Sequence, residues 1–301
     1  MKIGFIGAIP PGSVLPDWAI APRYRKNAHP APWIGGLLPN LAKLSDFKLR
    51  IFIPHRAVLK SCVIERDGVE YEGVPSPLLE RFAPHTLFYS KSLAVAGAIR
   101  RYQPDLIHAF GMENGSATVA LRQNVPVSCF IQGIAERLLP YYGHRSIVQK
   151  QVAVRTERSA VRRLRWLVAE TEFARDWALG HQPDAHVAVI PHPLRQEFLD
   201  VKATTGGKHI VSVGGLDDRK GMDTVIRALA KIQDKETTLS IVGSGPSLGH
   251  LKQLASDLGV ADRVEFSGFA DQAGVMEQLS RASVYVIGSR MDTSPNVVTE
   301  A

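Results

Sequence analysis

Short apolar runs rich in Val, Ile and Leu alternate along the chain with longer stretches in which apolar residues recur every three or four positions. Runs of four to six residues fit buried strands, and the longer stretches fit amphipathic helices. The predicted strands of the first half span residues 2–7, 49–54, 105–110, 126–131, 166–170 and 186–190. Those of the second half span 209–214, 238–243, 263–268 and 283–288, with helices predicted over 220–232, 246–258 and 271–280.

This alternation of strands and helices predicts an α/β protein with parallel sheets. A polar segment with a Gly pair, "LRQEFLDVKATTGGK", separates the two halves of the pattern and precedes a fresh strand. We therefore expect two Rossmann-like, doubly wound domains, one over residues 1–200 and the other over residues 206–301. A length of 301 residues is sufficient for two such domains.

The amino-acid composition bears on whether the protein spans a membrane, is secreted or contains disulfide bonds. The sequence contains no run of 18 apolar residues, and the apolar start "MKIGFIGAIPPG" resembles a first strand more than a signal peptide. Only two cysteines are present, Cys62 and Cys129, and both lie within apolar segments. We expect no disulfide framework and a cytoplasmic location.

The formal charge of +7 is unevenly distributed. Residues 206–301 carry 10 Lys and Arg against 12 Asp and Glu, which leaves 26 against 17 for residues 1–205. Basic residues cluster in "RYRK" and in "RTERSAVRRLRW", which contains Arg162, Arg163 and Arg165. This asymmetry indicates an anionic partner, such as phosphates, an acidic glycan or a membrane surface; a solvated helix face is the alternative.

Three glycine-rich or capped turns follow predicted strands of the second half. Ligands of open parallel sheets bind at the carboxyl ends of strands, where glycines allow close approach and helix N-termini favour anions. In the first turn, Gly214 and Gly215 are followed by Arg219 and Lys220. The second, "GSGP", begins at Gly243 but matches neither a Walker loop nor a sound dinucleotide fingerprint.

The third turn is "DTSPNVVTEA", which places Asp292 before and Glu300 after a predicted helix start. Ser294 is a suitable N-cap and Pro295 suits the first helical position. The first half offers the glycine pair Gly35-Gly36 at a helix start and His108 at a strand end. Each of these features also has an ordinary structural explanation, as a tight turn, a helix cap or a hydrogen-bonded side chain.

The order of these motifs resembles that of the group 1 (family 4) retaining glycosyltransferases. The resemblance rests on "VSVGGLDDRKGMDTVIRALA", "LSIVGSGP" and "SVYVIGSRMDTSPNVVTEA", which cover nearly all of residues 208–301. The first half is similar more loosely, through "GGLLPNLAKL", "QPDLIHAF" and "VAVIPHPLRQEFL". The resemblance implies the GT-B fold, in which two Rossmann-like domains bind a nucleotide-diphosphate sugar and an acceptor hydroxyl.

The resemblance also implies roles for individual residues. Lys220 would bind the donor diphosphate together with Arg219, Asp292 would lie near the transferred sugar, and Glu300 would hold the nucleotide ribose. His108 would also lie near the sugar, and His108 and Asp292 are the expected catalytic residues. The remaining donor-binding positions are Gly35, Gly36, Gly215, Gly243, Ser294, Asn296 and Val297.

Several positions depart from the family pattern, among them Phe110 and Gln132-Gly133 in the first half and two positions in the second. Relatives commonly carry an Arg where this chain has Gly215, so that Lys220 and Arg219 must supply the charge. Asp292 replaces the first Glu of the family's Glu-x7-Glu motif and is shorter by one methylene group.

The expected reaction retains the anomeric configuration and requires neither a metal nor another cofactor, because the two cations and the helix-end amides stabilise the leaving diphosphate. The acceptor is expected to be a saccharide, a lipid-linked molecule or a small molecule in polysaccharide or glycoconjugate synthesis. Peripheral contact with an anionic membrane at its inner face is a further expectation, and nucleic acid is not expected as a partner.

Other readings remain open at this point. A nucleotide-sugar epimerase or a phosphorylase shares the two-domain architecture, and a non-catalytic remnant would bind nucleotide weakly. A nicotinamide-dependent oxidoreductase is disfavoured because "GFIGAIPPG" lacks the Gly-x-Gly-x-x-Gly spacing. Since relatives continue with further strands and helices, we also expect these 301 residues to be a fragment with an incomplete second domain.

Overall fold

The computed structural model describes residues 1–7, 9–25, 37, 40–41, 43–44, 46–76, 87–112, 115–141, 146–192, 194, 196–202 and 206–301. The chain divides into two compact units, Met1–Pro193 and Leu194–Ala301. Within the described ranges, none of the helices combines the length and the apolar character needed to cross a bilayer.

The first unit is built on one sheet of eight strands, ordered β3-β4-β2-β1-β5-β6-β7-β8. Neighbouring strands run parallel except for β3, which pairs antiparallel with β4. The strands are β1 (Lys2–Ile6), β2 (Lys48–His55), β3 (Cys62–Arg66), β4 (Val69–Pro75), β5 (Leu106–Phe110), β6 (Val127–Ile131), β7 (Trp166–Ala169) and β8 (His186–Val189).

The hairpin of β3 and β4 was not predicted from the apolar pattern. Its turn is Asp67-Gly68, and both residues have positive φ angles, of 53° and 75°. An Asp-Gly pair favours this left-handed turn because its twist matches that of the flanking strands. The sheet is therefore mixed, with one antiparallel strand at its edge.

Helices cover this sheet because the residues of each strand point alternately to its two faces. Phe52 packs in one apolar cluster, whereas its neighbours Ile51 and Ile53 pack in the other. Helix α5 begins with a capping box in which Ser146 and Gln149 exchange hydrogen bonds. The α-helices of this unit whose bounds lie within the described residues are α1 (Pro11–Val14), α2 (Tyr89–Tyr102), α3 (Ser116–Ala120), α4 (Ala135–Leu138), α5 (Ile147–Val161) and α6 (Glu172–His181).

The second unit contains a four-stranded parallel sheet in the order β11-β10-β9-β12. Its strands are β9 (His209–Val213), β10 (Thr238–Val242), β11 (Val264–Gly268) and β12 (Val284–Tyr285). Its helices are α7 (Gln196–Leu199), α8 (Met222–Lys231), α9 (Leu248–Asp257), α10 (Gln272–Arg281) and α11 (Asn296–Glu300).

Helix α8 shows why the helical prediction for this unit succeeded. Met222, Val225, Ile226 and Leu229 are buried and follow the spacing of one helical face. They pack in one cluster with Leu239 and other strand residues. Three boundaries differ from prediction by two residues or more: β12 stops at Tyr285 instead of residue 288, α8 starts at Met222 after a separate 3₁₀ turn, Asp218–Lys220, and α9 starts at Leu248 instead of residue 246.

Candidate functional site

The loop after β9 presents two cations at the carboxyl end of the second sheet. Its 3₁₀ turn is capped by Asp217, whose side chain accepts a hydrogen bond of 3.1 Å from the Lys220 backbone amide. The Lys220 side chain passes over Gly214, where an added Cβ would lie 3.4 Å from its Cδ. The sequence therefore fixes the backbone that carries Arg219 and Lys220.

Both cations converge on Asp292, which lies 72 residues beyond Lys220. Lys220 Nζ forms an ion pair with Asp292 Oδ2, and Arg219 Nη1 lies 3.4 Å from the same oxygen. The three side chains are each 17% exposed, so the cluster borders solvent without being open to it. Partial burial strengthens these charge–charge interactions relative to a fully solvated pair. The structure thus brings together three of the predicted site residues.

Arg290 connects the loop of Asp292 to the loop of Lys220. Its backbone amide donates to Arg219 O at 2.8 Å, and its Nη1 donates to Asp218 O at 2.7 Å. Its guanidinium also binds both carboxylate oxygens of Asp223 in α8, at 2.9 and 2.7 Å. The hydrogen bonds from Arg290 lower the pKa of Asp223 below its usual value. Sequence reasoning missed Arg290, which had no distinguishing local pattern.

Two glycines allow the loops at this sheet edge to approach each other. Gly221 has a φ angle of +60°, and a Cβ there would lie 2.0 Å from the carbonyl oxygen of Gly288. Gly243 has a φ angle of +146°, and its Cβ would lie 1.9 Å from the carbonyl oxygen of Gly214. A side chain at either position would collide with backbone. Gly215 is less crowded, since Asp217 Oδ2 would lie 3.6 Å from its Cβ.

Asp292 and Glu300 influence a common neighbour, Tyr285 of β12. Burial raises the pKa of Tyr285 to about 12, and the negative charges of Asp292 and Glu300 add to the rise. Both acids of the predicted pair therefore lie within electrostatic range of one phenol group. Glu300 lies in α11, as expected from the spacing.

The predicted cap of α11 is wrong by one residue. The helix begins at Asn296, with Pro295 in the N-cap position and no side-chain cap, so Ser294 lies outside it and Val297 within it. Pro295 adopts an extended ψ of 106°, which is incompatible with the first helical position. Among the described residues, the buried atoms Asn296 Oδ1 and Arg219 Nε have no hydrogen-bond partner.

His108 lies in β5 of the first unit, in a pocket of aromatic rings. Its Nδ1 is 2.8 Å from Ser128 Oγ, and its ring centroid is 4.8 Å from that of Phe5 and 6.0 Å from that of Phe110. Burial lowers the pKa of His108 to about 4. The imidazole is therefore neutral at pH 7 and acts as a hydrogen-bonding group and not as a cation. The predicted pair Gly35-Gly36 lies outside the described residues.

The burial of His108 predicts a pH-dependent stability. Because its pKa is about 4 when folded and 6.5 when unfolded, protons bind preferentially to the unfolded chain between these values. Its contribution is present above pH 6.5 and is lost as the pH falls through 4, a loss of up to about 3 kcal/mol. We expect His108→Asn to flatten this acid limb in urea unfolding measured from pH 4 to 8.

The exposed His250 of α9 supplies the control for this measurement. His250→Asn should leave the acid limb as steep as in the parent protein. An equally steep limb in His108→Asn would show that other groups cause the acid sensitivity.

Two buried carboxylates near the carboxyl ends of strands in the first unit were not predicted. Glu157 of α5 is fully buried and accepts hydrogen bonds from the backbone amides of Ala135, at 2.6 Å, and Glu136, at 3.1 Å. It therefore holds the first turn of α4, shortly after β6. Glu170, directly after β7, lies 2.8 Å from His192 Nε2. For Glu157, the signal available in the sequence was an acidic residue on the apolar face of an amphipathic helix.

Within the described ranges, no group of three or more His, Cys, Asp or Glu side chains is arranged to hold a metal ion. The charges that meet in the second unit are instead those of Lys220, Arg219 and Asp292.

Comparison with known proteins reveals relatives for both halves of the chain. A lipopolysaccharide core biosynthesis glycosyltransferase, LpsE of Rhizobium meliloti, is 34% identical over 92 residues, which are 31% of this chain and 26% of that protein. A GDP-mannose-dependent alpha-(1-6)-phosphatidylinositol monomannoside mannosyltransferase of Mycolicibacterium smegmatis is 47% identical over 60 residues, 19% of this chain and 16% of that protein. The matches thus span about a quarter or less of these relatives.

Solved structures establish the fold class. The sucrose-phosphate synthase of Thermosynechococcus elongatus superposes with a TM-score of 0.70 at 17% identity, covering 100% of this chain and 78% of that chain. HepE of Anabaena, solved in complex with UDP, gives a TM-score of 0.65 at 18% identity, with coverage of 100% and 78%. The expected α/β fold of the GT-B class, with two Rossmann-like units, is confirmed.

Family models account for most of the sequence. The model for the glycosyl transferase 4-like domain matches residues 40–193, just over half of the chain. The model for glycosyl transferases group 1 matches residues 195–301, which contain Lys220, Asp292 and Glu300. By these matches, the chain belongs to the group 1 glycosyltransferases.

Proposed function

We propose that the protein transfers a sugar from a nucleotide-diphosphate donor to an acceptor hydroxyl, with retention of configuration, in glycoconjugate synthesis. The observation that carries the proposal is the convergence of Lys220 and Arg219 on Asp292 at the carboxyl edge of the second sheet. Relatives named for lipopolysaccharide core synthesis and for mannosyl transfer to a phosphatidylinositol mannoside support the reaction class.

The two cations would bind the donor diphosphate through charge-assisted hydrogen bonds. In the structure, Asp292 pairs with both cations and neutralises part of their charge. A diphosphate carries more negative charge than one carboxylate, so it would replace Asp292 as the partner of Lys220 and Arg219. Asp292 would then be available to accept hydrogen bonds from hydroxyl groups of the transferred sugar.

The rest of the donor would lie along the same edge. We assign the ribose to Glu300, and the sugar or phosphate to the backbone of residues Ser294–Val297. Gly215 and Gly243 would let the backbone approach the donor, and Gly35 and Gly36, which lie outside the described residues, stay predicted donor-binding positions. The neutral imidazole of His108 would serve as a hydrogen-bonding group near the sugar.

The proposed reaction needs no protein nucleophile. The bond between the anomeric carbon and the diphosphate oxygen breaks, and the acceptor oxygen bonds to the same face of the sugar. A phosphate oxygen of the departing diphosphate takes the acceptor proton. Lys220 and Arg219 would stabilise the negative charge that develops on the leaving group, which is the role of electrostatic groups in such reactions.

Nucleotide release tests the proposal directly. The protein is mixed with GDP-mannose, UDP-glucose and other sugar nucleotides, with saccharide or lipid-linked acceptors, and the released nucleoside diphosphate is measured with and without EDTA. We expect release from one donor at the same rate under both conditions, and a product whose anomeric configuration, measured by NMR, matches that of the donor. Inversion of the configuration or complete loss of release with EDTA would contradict the mechanism.

The same assay separates the alternatives. Epimerised sugar nucleotide without transfer would indicate an epimerase, and phosphate-dependent cleavage would indicate a phosphorylase. Binding of a sugar nucleotide without release would indicate a non-catalytic protein.

A further inference from the structure

A groove of about 870 Å³ lies on the helical side of the first unit. One wall is helix α2, which contributes Tyr89, Leu93 and Ala96. The facing wall is the segment 121–125, and Arg163 completes it. Of the predicted donor-site residues that the structure describes, none lines this groove.

The groove reaches the amino ends of the strands. Pro104 and Val125 line it, and each lies two residues before a strand, β5 and β6 respectively. Ligand sites of open α/β sheets lie at the opposite, carboxyl edge. The groove is thus separate from the edge of the sheet at which His108 was expected to act.

Three arginines supply the groove with positive charge that no carboxylate of the described residues balances. Arg100, Arg122 and Arg163 line it, and among the described residues none of them forms an ion pair. Arg122 donates to Leu87 O and Ser92 Oγ, and Arg163 donates to Leu121 O at 3.3 Å. Burial and the nearby charge of Arg163 lower the pKa of Arg122 below its usual value.

Apolar side chains beside these arginines face solvent. Leu93 is 60% exposed and Tyr89 is 57% exposed, whereas Val95 and Ile99 of the same helix are buried in the core. Arg101, next to Arg100, is by contrast paired with Glu72 at 2.8 Å. A solvated helix face would be expected to carry balanced charges and fewer exposed apolar groups. The combination is that of a surface that binds an anionic amphiphile.

We propose that this groove docks the protein on a bilayer that contains anionic phospholipids. The lipid phosphates bind Arg100, Arg122 and Arg163, and Leu93 and Tyr89 enter the interfacial region, where tyrosine is favoured. A free phosphate or a nucleic acid would use the arginines but would gain nothing from Leu93. Of the basic segment that contains Arg162, Arg163 and Arg165, only Arg163 lines the groove. The proposed membrane-binding surface therefore consists of Arg163, α2 and the segment 121–125.

Vesicle binding tests this inference independently of sugar transfer. Co-sedimentation is measured with vesicles of phosphatidylcholine alone and of phosphatidylcholine with 30% phosphatidylglycerol, an amount chosen as roughly a physiological anionic fraction. We expect binding only to the anionic vesicles, and a decrease of more than about 20-fold in the double variant R100E/R163E. The double variant R155E/R165E makes the same charge change at exposed arginines outside the groove and should bind nearly as the parent does.

The apolar contribution is tested without altering charge. Leu93→Gln should weaken binding at least about threefold, because it removes a side chain that enters the interface. Leu59→Gln changes an equally exposed leucine, at 62%, and should have no effect. Thermal unfolding confirms that each variant is folded.

Several outcomes would overturn the inference. Equal losses in both arginine double variants would show that general basicity, and not the groove, drives binding. Equal binding to neutral vesicles, no effect of Leu93→Gln, or a preference for RNA over vesicles would exclude an anionic membrane surface as the partner of this groove. Lys220→Ala, which affects the donor site, should leave vesicle binding unchanged, so that the two proposals can fail separately.

Discussion

Lys220→Ala is expected to lower the turnover of the sugar nucleotide by about 100- to 1,000-fold, the usual cost of removing one group that stabilises charge in a transition state. Lys220 Nζ pairs with Asp292, and Asp217 caps the turn that carries Lys220. In the proposed function this ammonium group lies beside the diphosphate that leaves the sugar. The measurement is steady-state nucleotide release with the best donor. Because the charge on the leaving group increases during the reaction, kcat should fall more than KM rises.

The control for this prediction is Lys231→Ala, at the exposed end of α8. It removes the same charge from the same unit without touching the cluster, and turnover should remain within about twofold of the parent value, as for a surface substitution distant from the site. A Lys220→Ala protein that is folded and retains more than a third of the parent turnover would refute the role assigned to Lys220.

Gly221→Ala is expected to lower the free energy of unfolding by about 2–4 kcal/mol. The alanine would have to adopt the left-handed conformation that Gly221 holds at φ +60°, and its Cβ would lie 2.0 Å from Gly288 O. Relief requires the segment after β12 to move away from the start of α8. We therefore also expect nucleotide release to decrease, because Asp292 lies on the segment that moves.

Gly249→Ala provides the comparison at a site without strain. Gly249 lies in α9, and no atom lies within 4 Å of its added Cβ. Alanine there should leave stability unchanged or raise it by up to about 1 kcal/mol, since alanine favours helices. Urea unfolding of the whole chain measures both variants, and similar midpoints for Gly221→Ala and Gly249→Ala would mean that the close backbone approach does not matter.

Much of the fold was predictable from apolar runs. β5, β6 and β10 match the predicted strands to within one residue at each end, because a buried parallel strand requires a continuous apolar segment. β3 and β4 were missed because charged residues interrupt their apolar runs, as in CVIER and VEYEGVP, although Asp67-Gly68 was a usable signal for a hairpin. β12 was predicted too long, since pairing with β9 ends where the chain turns to bring Gly288 against Gly221.

The sequence predicted which residues belong to the candidate site but not which contacts they make with one another. The resemblance and the strand-end positions both singled out Arg219, Lys220 and Asp292, and the structure places them together. That Asp292 pairs with both cations depends on how two loops separated by 72 residues pack, which no local pattern encodes. The role of Arg290 was missed for the same reason, because its partner Asp223 is 67 residues away. The roles assigned to Arg219, Lys220 and Asp292, and those assigned to Glu300, Gly243 and His108, stay predictions.

Arg290 connects the loop that carries Lys220 to the loop that carries Asp292, and this connection would lower the conformational entropy lost when a donor binds. Arg290 joins the segment that carries Asp292 to the turn that carries Lys220, through bonds to Arg219 O, Asp218 O and Asp223. These loops are therefore ordered when the protein folds and not when a ligand arrives. A preorganised pair of loops loses little conformational freedom on binding, so more of the interaction energy with the diphosphate appears as affinity.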